Sequence, residues 1–317
     1  MDNGPGNRPG NNTGDVFYLT GFSNLGVHRR LLSIPFFFLL VYMMGANAVV
    51  TYVIAKQRTL YKPMYVLIGS LTLLNFFFPL LFIPRMVVSF ASGLNGITAV
   101  ECLLQIFIIH LCGSFQTSIL LQMAVDRFFA ICWPLRYHDI VNLRNSVLFT
   151  AALALRNTAT MIAMVCLFVP LTFCQSNVIY HCACVATLAC GTSVRSYLAG
   201  IMAFTITTSD CLIIAATYVV IFIVIFWSSS GESRQKAIHT CSTHLLVIGV
   251  SYLSVVCAFI GYRVSAIPQD IRVALTLSYL FIPSCFSPVI YGIRTNEIKV
   301  HVLKMFKVNA AVDIKNT

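Results

Sequence analysis

The sequence predicts an all-α membrane protein, a seven-transmembrane helix bundle, and three observations carry that expectation. First, 58% of the 317 residues are hydrophobic and only 10% are charged, against roughly 25% charged in a soluble domain. Second, the apolar residues gather into seven stretches, each near the about 20 residues that a helix needs to cross a bilayer. Third, the stretches are too long for strands and lack the strict alternation of a membrane β-barrel. An aromatic content of 12%, with 24 Phe, suits a surface that faces lipid.

Residues 1–30 form a polar tail rich in Gly and Asn, with no apolar run of a cleavable signal. The first span is therefore expected to serve as its own insertion signal. Spans are expected at 33–55, 63–84, 102–125, 146–173, 197–227, 240–261 and 273–293. The connections are short, apart from the stretch near 174–196, and no internal repeat is visible. The expected organisation is an extracellular tail at 1–30, the bundle at 31–293, and a cytoplasmic tail at 294–317 with a short amphipathic helix.

The net charge of +11 is distributed as a membrane protein distributes it, not as a nucleic-acid binder does. Thirteen of the 21 Lys and Arg fall in 56–62, 127–144, 228–236 and the tail after 293, seven fall on the other side, and Arg156 lies inside a span. The positive-inside rule places the thirteen in the cytoplasm and the N-terminus outside. The sequon Asn11-Asn12-Thr13 then falls on the outer side, where Asn11 is a glycosylation candidate.

Most of the 12 cysteines lie within helices, where the expected role is that of a small buried hydrophobe. Cys102 opens the third span on the outer side, and Cys174, Cys182, Cys184 and Cys190 cluster in the long outer loop. That side is oxidising, so disulfides are expected, although spacing alone does not give their connectivity. No His/Cys spacing recurs that would hold zinc, and neither metal nor cofactor is expected.

Function is written at the cytoplasmic helix ends. Met123 to Tyr137 reads MAVDRFFAICWPLRY and closes the third span. Leu60-Tyr61-Lys62-Pro63-Met64-Tyr65 opens the second, and Lys236 to Leu245, KAIHTCSTHL, opens the sixth. Pro283 to Tyr291, PSCFSPVIY, closes the seventh. In order and spacing these segments resemble the MAYDRYVAICxPLRY, LHxPMY, KAxSTCxSHL and PxLNPxIY signatures of the olfactory receptors, a rhodopsin-like G-protein-coupled family. The resemblance covers residues 20 to 307, and its details look like the receptors of fishes.

The resemblance implies a receptor for a small-molecule odorant that activates a heterotrimeric G protein of the stimulatory, olfactory type, with the lipid membrane as its setting. It implies that Arg127, beside Asp126, is the switch residue: a carboxylate holds it at rest and releases it on activation. Tyr218 and Tyr291 match tyrosines that the family turns inward in that step. It also implies a disulfide from Cys102 to Cys184 and a second from Cys174 to Cys190, with Cys182 left over. Two positions depart from the family pattern. Asn75 stands where an inward Asp is expected, and Ser287 where the Asn of NPxxY would be. Both can hydrogen-bond but carry no charge, so no strong sodium site is expected.

The outer half of the bundle offers two stripes for a ligand. His110, Gly113, Ser114 and Thr117 follow the i, i+3, i+4, i+7 pattern on the third span. At about 1.5 Å per residue His110 lies roughly 25 Å above Arg127. The hydroxyls could equally bond their own backbone. On the sixth span Tyr252, Val256, Phe259 and Arg263 form the second stripe, and Tyr252 matches the pocket-floor tyrosine of the family. Arg263 is either a solvated helix end or an anchor for an acidic odorant, since guanidinium matches a carboxylate with two bonds. Arg156 and Asp210, the remaining charges within spans, are expected to pair, more as structure than as ligand contacts. A transporter would show repeated halves and paired broken helices, and neither appears. An enzyme would need a third partner for Ser242 and His244, and none is evident.

Overall fold

The structure, a computed structural model, describes residues 16–168, 178–184, 194–228, 231–264 and 266–313. Among these, seven helices are long and apolar enough to cross a bilayer: Ser23–Lys56, Pro63–Ser92, Ala99–Cys132, Arg144–Leu167, Leu198–Trp227, Ala237–Gly261 and Gln269–Arg294. They form the expected bundle. The helix Asn296–Asp313 follows the seventh span, and its Ile298 is fully buried against the cytoplasmic half.

Local chemistry sets the helix ends, and in three places it moves them from the expected positions. The second span reaches Ser92, beyond 84. Pro79 interrupts the helix that ends at Leu80, and a new helix starts at Ile83 with Pro84 in its first turn. Gly93 closes it in the left-handed conformation, φ 74°, donating to the Ser89 carbonyl. Arg85 lowers the hydropathy there, yet it simply points outward, donating to the Gly96 carbonyl at 2.6 Å and facing Glu101 at 3.9 Å. The third span starts earlier, at Ala99, because Thr98 and Glu101 form a capping box. It runs on through Asp126 and Arg127 to Cys132, just before Pro134. The fourth helix is described over Leu143–Phe168, and its expected end at 173 lies outside the described residues.

A small sheet caps the outer end. Strand β1 (Val16–Leu19) lies between β2 (Gly96–Thr98), to which it is antiparallel, and β3 (Val178–Ile179), to which it is parallel. It therefore joins the N-terminal segment to the first and second outer loops. Arg29 fastens this cap: its guanidinium donates to the Gly21 and Leu19 carbonyls, Ser89 and Asn95, and lies over the Phe90 ring.

Two layers of core fill the bundle. Phe17, Leu19, Ile97, Met161 and Met164 pack at the outer end. Leu71, Leu120, Met123, Ile221, Val247 and Tyr291 pack at the cytoplasmic end. Phe38, Leu155, Leu212 and Leu253 are exposed on the perimeter, the arrangement a lipid solvent permits. The seventh span contains Pro283 and Pro288. Pro288 has no N–H to give the carbonyl four residues back, and the freed Ser284 carbonyl is taken by Asn47 Nδ2 of the first span at 2.8 Å.

Candidate ligand cavity and cytoplasmic switch

At the outer end Cys102 and Cys184 are joined, with Cα atoms 5.4 Å apart. The Cys184 N–H also donates to Gln105 Oε1 at 2.7 Å, so the third span holds the second outer loop by a covalent and a polar link. Among the described residues Cys182 is a free, buried thiol, and burial pushes its pKa up to about 12. Cys174, Cys190 and Asn11 lie outside the described residues.

The polar stripe of the third span faces the bundle, but its groups are already engaged. His110 Nδ1 donates to the Ile106 carbonyl at 2.9 Å, and Ser114 Oγ to the Leu111 carbonyl at 2.8 Å. The space that a Cβ on Gly113 would need is filled by the Tyr279 hydroxyl of the seventh span. Thr117 is 4% exposed, and its hydroxyl donates to Asp210 Oδ2 at 3.1 Å. The Thr117 hydroxyl is thus engaged within the protein, where the nearby carboxylate is the stronger acceptor.

That carboxylate anchors a network linking the third, fourth and fifth spans. Arg156 meets Asp210 with two bonds, Nη1 to Oδ1 at 2.8 Å and Nη2 to Oδ2 at 3.0 Å. Ser118 donates to Asp210 as well, and Asn157 donates to Ser118 at 3.0 Å. Asp210 is completely buried, and Arg156 is 32% exposed. The paired charges expected from the sequence are present. Ser118 and Asn157, absent from that expectation, were signalled only as polar residues within apolar helices.

The sixth-span stripe departs from the expected orientation. Ser251 and Ser254 occupy the inner face, at 4% and 0% exposure. At about 100° per residue, Val256 and Phe259 then fall on the outer flank, where they are 52% and 45% exposed. Phe259 packs edge-on against Phe204 of the fifth span, rings 5.7 Å apart. Tyr252 is half-buried and its hydroxyl has no partner. Arg263 is the last residue of the helix Gly231–Arg263, and its side chain lies outside the described residues.

The cytoplasmic end gathers a buried polar constellation. Asp126 is 4% exposed and accepts a hydrogen bond from the Tyr137 hydroxyl at 2.8 Å. Burial, with the Asp126 carboxylate next, pushes the Tyr137 phenol well above its ordinary pKa. Among the described residues Arg127 makes no ion pair, and its buried Nε has no partner. The side-chain bond found at Asp126 among the described residues is the one from Tyr137. The field of Arg127 reaches Tyr218, Cys241, His244 and Tyr291. Tyr218 and Tyr291 already point inward, at 4% and 0% exposure. Tyr291 donates to the Met123 sulfur at 3.8 Å, and its ring lies 5.8 Å from that of His244.

Between the first, second and seventh spans, Asn47 Oδ1, both polar ends of Asn75, Ser284 Oγ and Ser287 Oγ are buried without partners. These four side chains offer neutral oxygens and no carboxylate, a poor fit for a strongly held sodium ion.

A family model described as olfactory receptor matches residues 36–309. Olfactory receptor 52P1 of Homo sapiens is 31% identical over 306 residues, covering 95% of this chain and 95% of that protein. Olfactory receptor 56B34 of Mus musculus is 31% identical over 308 residues, covering 94% and 95%. Olfactory receptor 52N2 of Homo sapiens is 31% identical over 301 residues, covering 92% and 93%.

Proposed function

The chain belongs to the olfactory receptor family of G-protein-coupled receptors, multi-pass proteins of the plasma membrane, and we propose on that premise that it couples to a stimulatory, olfactory-type G protein and responds to a small, partly apolar, acidic odorant. Coupling is the receptor's task at its cytoplasmic end. The observation that carries the reading is the state of Arg127: an always-charged guanidinium that makes no ion pair among the described residues and whose field reaches Tyr218, His244 and Tyr291. Such a group is free to swing and line a cavity for a helix of the G protein. Arg127→Ala is expected to abolish agonist-induced cyclic AMP while the receptor still reaches the cell surface. A surface-expressed variant with a normal cyclic AMP response would refute this role.

The odorant is assigned to the outer half, among His110, Ser114, Thr117, Tyr252 and Arg263. The unpartnered Tyr252 hydroxyl and the bundle-facing Ser114 support that placement, with Thr117 contributing its methyl. Arg263 at the outer helix end motivates the acidic group. Losing a charge-assisted bond costs roughly 1.5–3 kcal/mol, or about ten- to a hundredfold in affinity. Arg263→Ala is therefore expected to weaken acidic agonists at least about tenfold and matched alcohols little. Dose–response curves for acid and alcohol pairs decide it, and an unchanged acid response returns Arg263 to a solvated helix end. A glycan on Asn11 and a bridge from Cys174 to Cys190 complete the proposed outer face.

A further inference from the structure

We propose that the outer end of the bundle holds a phospholipid of the outer leaflet by its phosphate, in a cavity between the first and second spans where Arg30 supplies the guanidinium. The site is separate from the odorant cavity and from the cytoplasmic switch.

The cavity measures about 400 Å³ and is lined by Gly26, Val27, Arg29, Arg30, Phe90 and Gly93. Its walls come from the segment Ser23–Leu32, which leads into the first span, and from the end of the helix Ile83–Ser92. Gly26 and Gly93 present bare backbone, both at positive φ, 52° and 74°, and nothing stands within 4 Å of where a Cβ would sit on either. The two arginines differ. Arg29 is tied into the cap by four hydrogen bonds and lies over the Phe90 ring, so it makes a fixed positive wall. Arg30 is exposed, and among the described residues no carboxylate meets it. The lining itself contains no carboxylate. Two guanidiniums on one cavity without an acidic partner favour an anion, and the planar fork of Arg30 matches two oxygens of a phosphate.

The depth of the cavity points to a lipid as the source of that phosphate. The α-helix Ser33–Lys56 has 24 residues and rises about 36 Å, against a hydrocarbon core of about 30 Å. With Lys56 at the cytoplasmic surface, Ser33 stands at the outer one, and Gly26 to Arg30 lie among the headgroups. The surface there is apolar as well as basic. Val27 is 84% exposed and Leu31 61%, on either side of Arg30 along the chain. Ile34, Phe37, Phe38 and Val41 continue the exposed apolar surface down the first span. A free anion would meet the arginines and leave this surface bare. A phospholipid covers both, its phosphate on Arg30 and its acyl chains along the first span. Burying the chains and Val27 removes apolar area from water, while the phosphate compensates two positive charges on the side that carries fewer of them. The partner is therefore a glycerophospholipid, read by its phosphate and chains together.

The test uses the full chain, purified in detergent, and phosphatidylcholine carrying a photoreactive diazirine near the top of one acyl chain. This lipid has no net charge, so the lysines of the helix Asn296–Asp313 at the opposite surface have little hold on it. Label is expected on residues 23–41, mapped by peptide mass, and excess plain phosphatidylcholine is expected to remove it. Glycerophosphocholine, the headgroup without chains, and diacylglycerol, the chains without phosphate, are each expected to compete at least about tenfold more weakly. Arg30→Gln is expected to weaken capture at least about tenfold, with the melting temperature of the lipid-free receptor unchanged. Arg30→Lys keeps the charge without the fork and is expected to fall between. If Arg30→Gln melts lower, Val27→Asp gives the second reading: its side chain is open to the outside, and a carboxylate there repels the phosphate, so the same loss of capture is expected. Label confined to other segments, or capture unchanged in a stable Arg30→Gln or in Val27→Asp, overturns the proposal. Equal competition by glycerophosphocholine makes the ligand a free phosphate ester, and equal competition by diacylglycerol makes it an apolar contact alone; either result also overturns it.

Discussion

His181 shows how a single side chain can set the pH range of the outer cap. It is 8% exposed, its Nδ1 accepts from the Ala183 N–H at 3.2 Å, and its Nε2 is buried without a partner. The imidazole is thus neutral with its proton on Nε2. Burial, with a smaller push from the Arg272 guanidinium, lowers its pKa to about 4, while an unfolded histidine titrates near about 6.5. Folding favours the neutral ring, so its stability contribution is complete above the unfolded value and is lost as pH falls from about 6.5 to about 4. At pH 5 the loss approaches about 2 kcal/mol. Melting of the purified receptor at pH 7.5 and at pH 5 should therefore differ less in His181→Gln than in the unsubstituted chain. Equal acid sensitivity in both would remove His181 from the account. This role was not legible beforehand, since the position of His181 depends on the sheet pairing of Val178–Ile179 with the N-terminal strand.

At the scale of elements, the seven spans and their order were legible because the bilayer allows few alternatives: each span must satisfy its own backbone and show apolar residues to lipid. Helix ends were less legible. The Thr98–Glu101 box is visible in the residues, but the stretch after Pro79 and Pro84 reads as an end by hydropathy and continues as helix. Helix phase was the weakest reading. Val256 and Phe259 share a stripe with Tyr252, yet Ser251 and Ser254 take the inner face, which only packing against Gln116 and Ser278 reveals. The charged pair was legible because an unpaired charge at that depth is costly. Its energetics give a clear expectation. Removing one partner leaves a buried charge alone and costs about 3–5 kcal/mol, whereas apolar replacement of both is often near neutral. Asp210→Leu should sharply lower the melting temperature, and Arg156→Leu with Asp210→Leu should recover most of the loss. A double variant no more stable than Asp210→Leu would show that Thr117 and Ser118 need the carboxylate more than Arg156 does.

At the scale of the whole molecule, cap and switch occupy opposite ends of one long helix. From Thr98, beside the Arg29 contacts, to Arg127 the third span rises about 43 Å. The two ends also differ in how their polar groups are held. Arg29 has four hydrogen bonds and a ring beneath it. Around Arg127 the Tyr218 hydroxyl and His244 Nδ1 are, like Arg127 Nε, buried without partners. A region whose polar groups are unsatisfied at rest has bonds to gain by rearranging, and a fully bonded cap does not. The cap should therefore set stability and the cytoplasmic constellation should set signalling. Substitutions this far apart, with no shared partner, generally add. Arg29→Ala is expected to cost roughly 1–3 kcal/mol, seen as a lower melting temperature and fewer receptors at the surface. Nucleotide exchange per surface receptor should stay unchanged in Arg29→Ala and be lost in Arg127→Ala, with the double variant showing both effects undiminished. A fall in exchange per receptor in Arg29→Ala would mean that cap and switch are coupled through the third span, and the separation of roles would have to be given up.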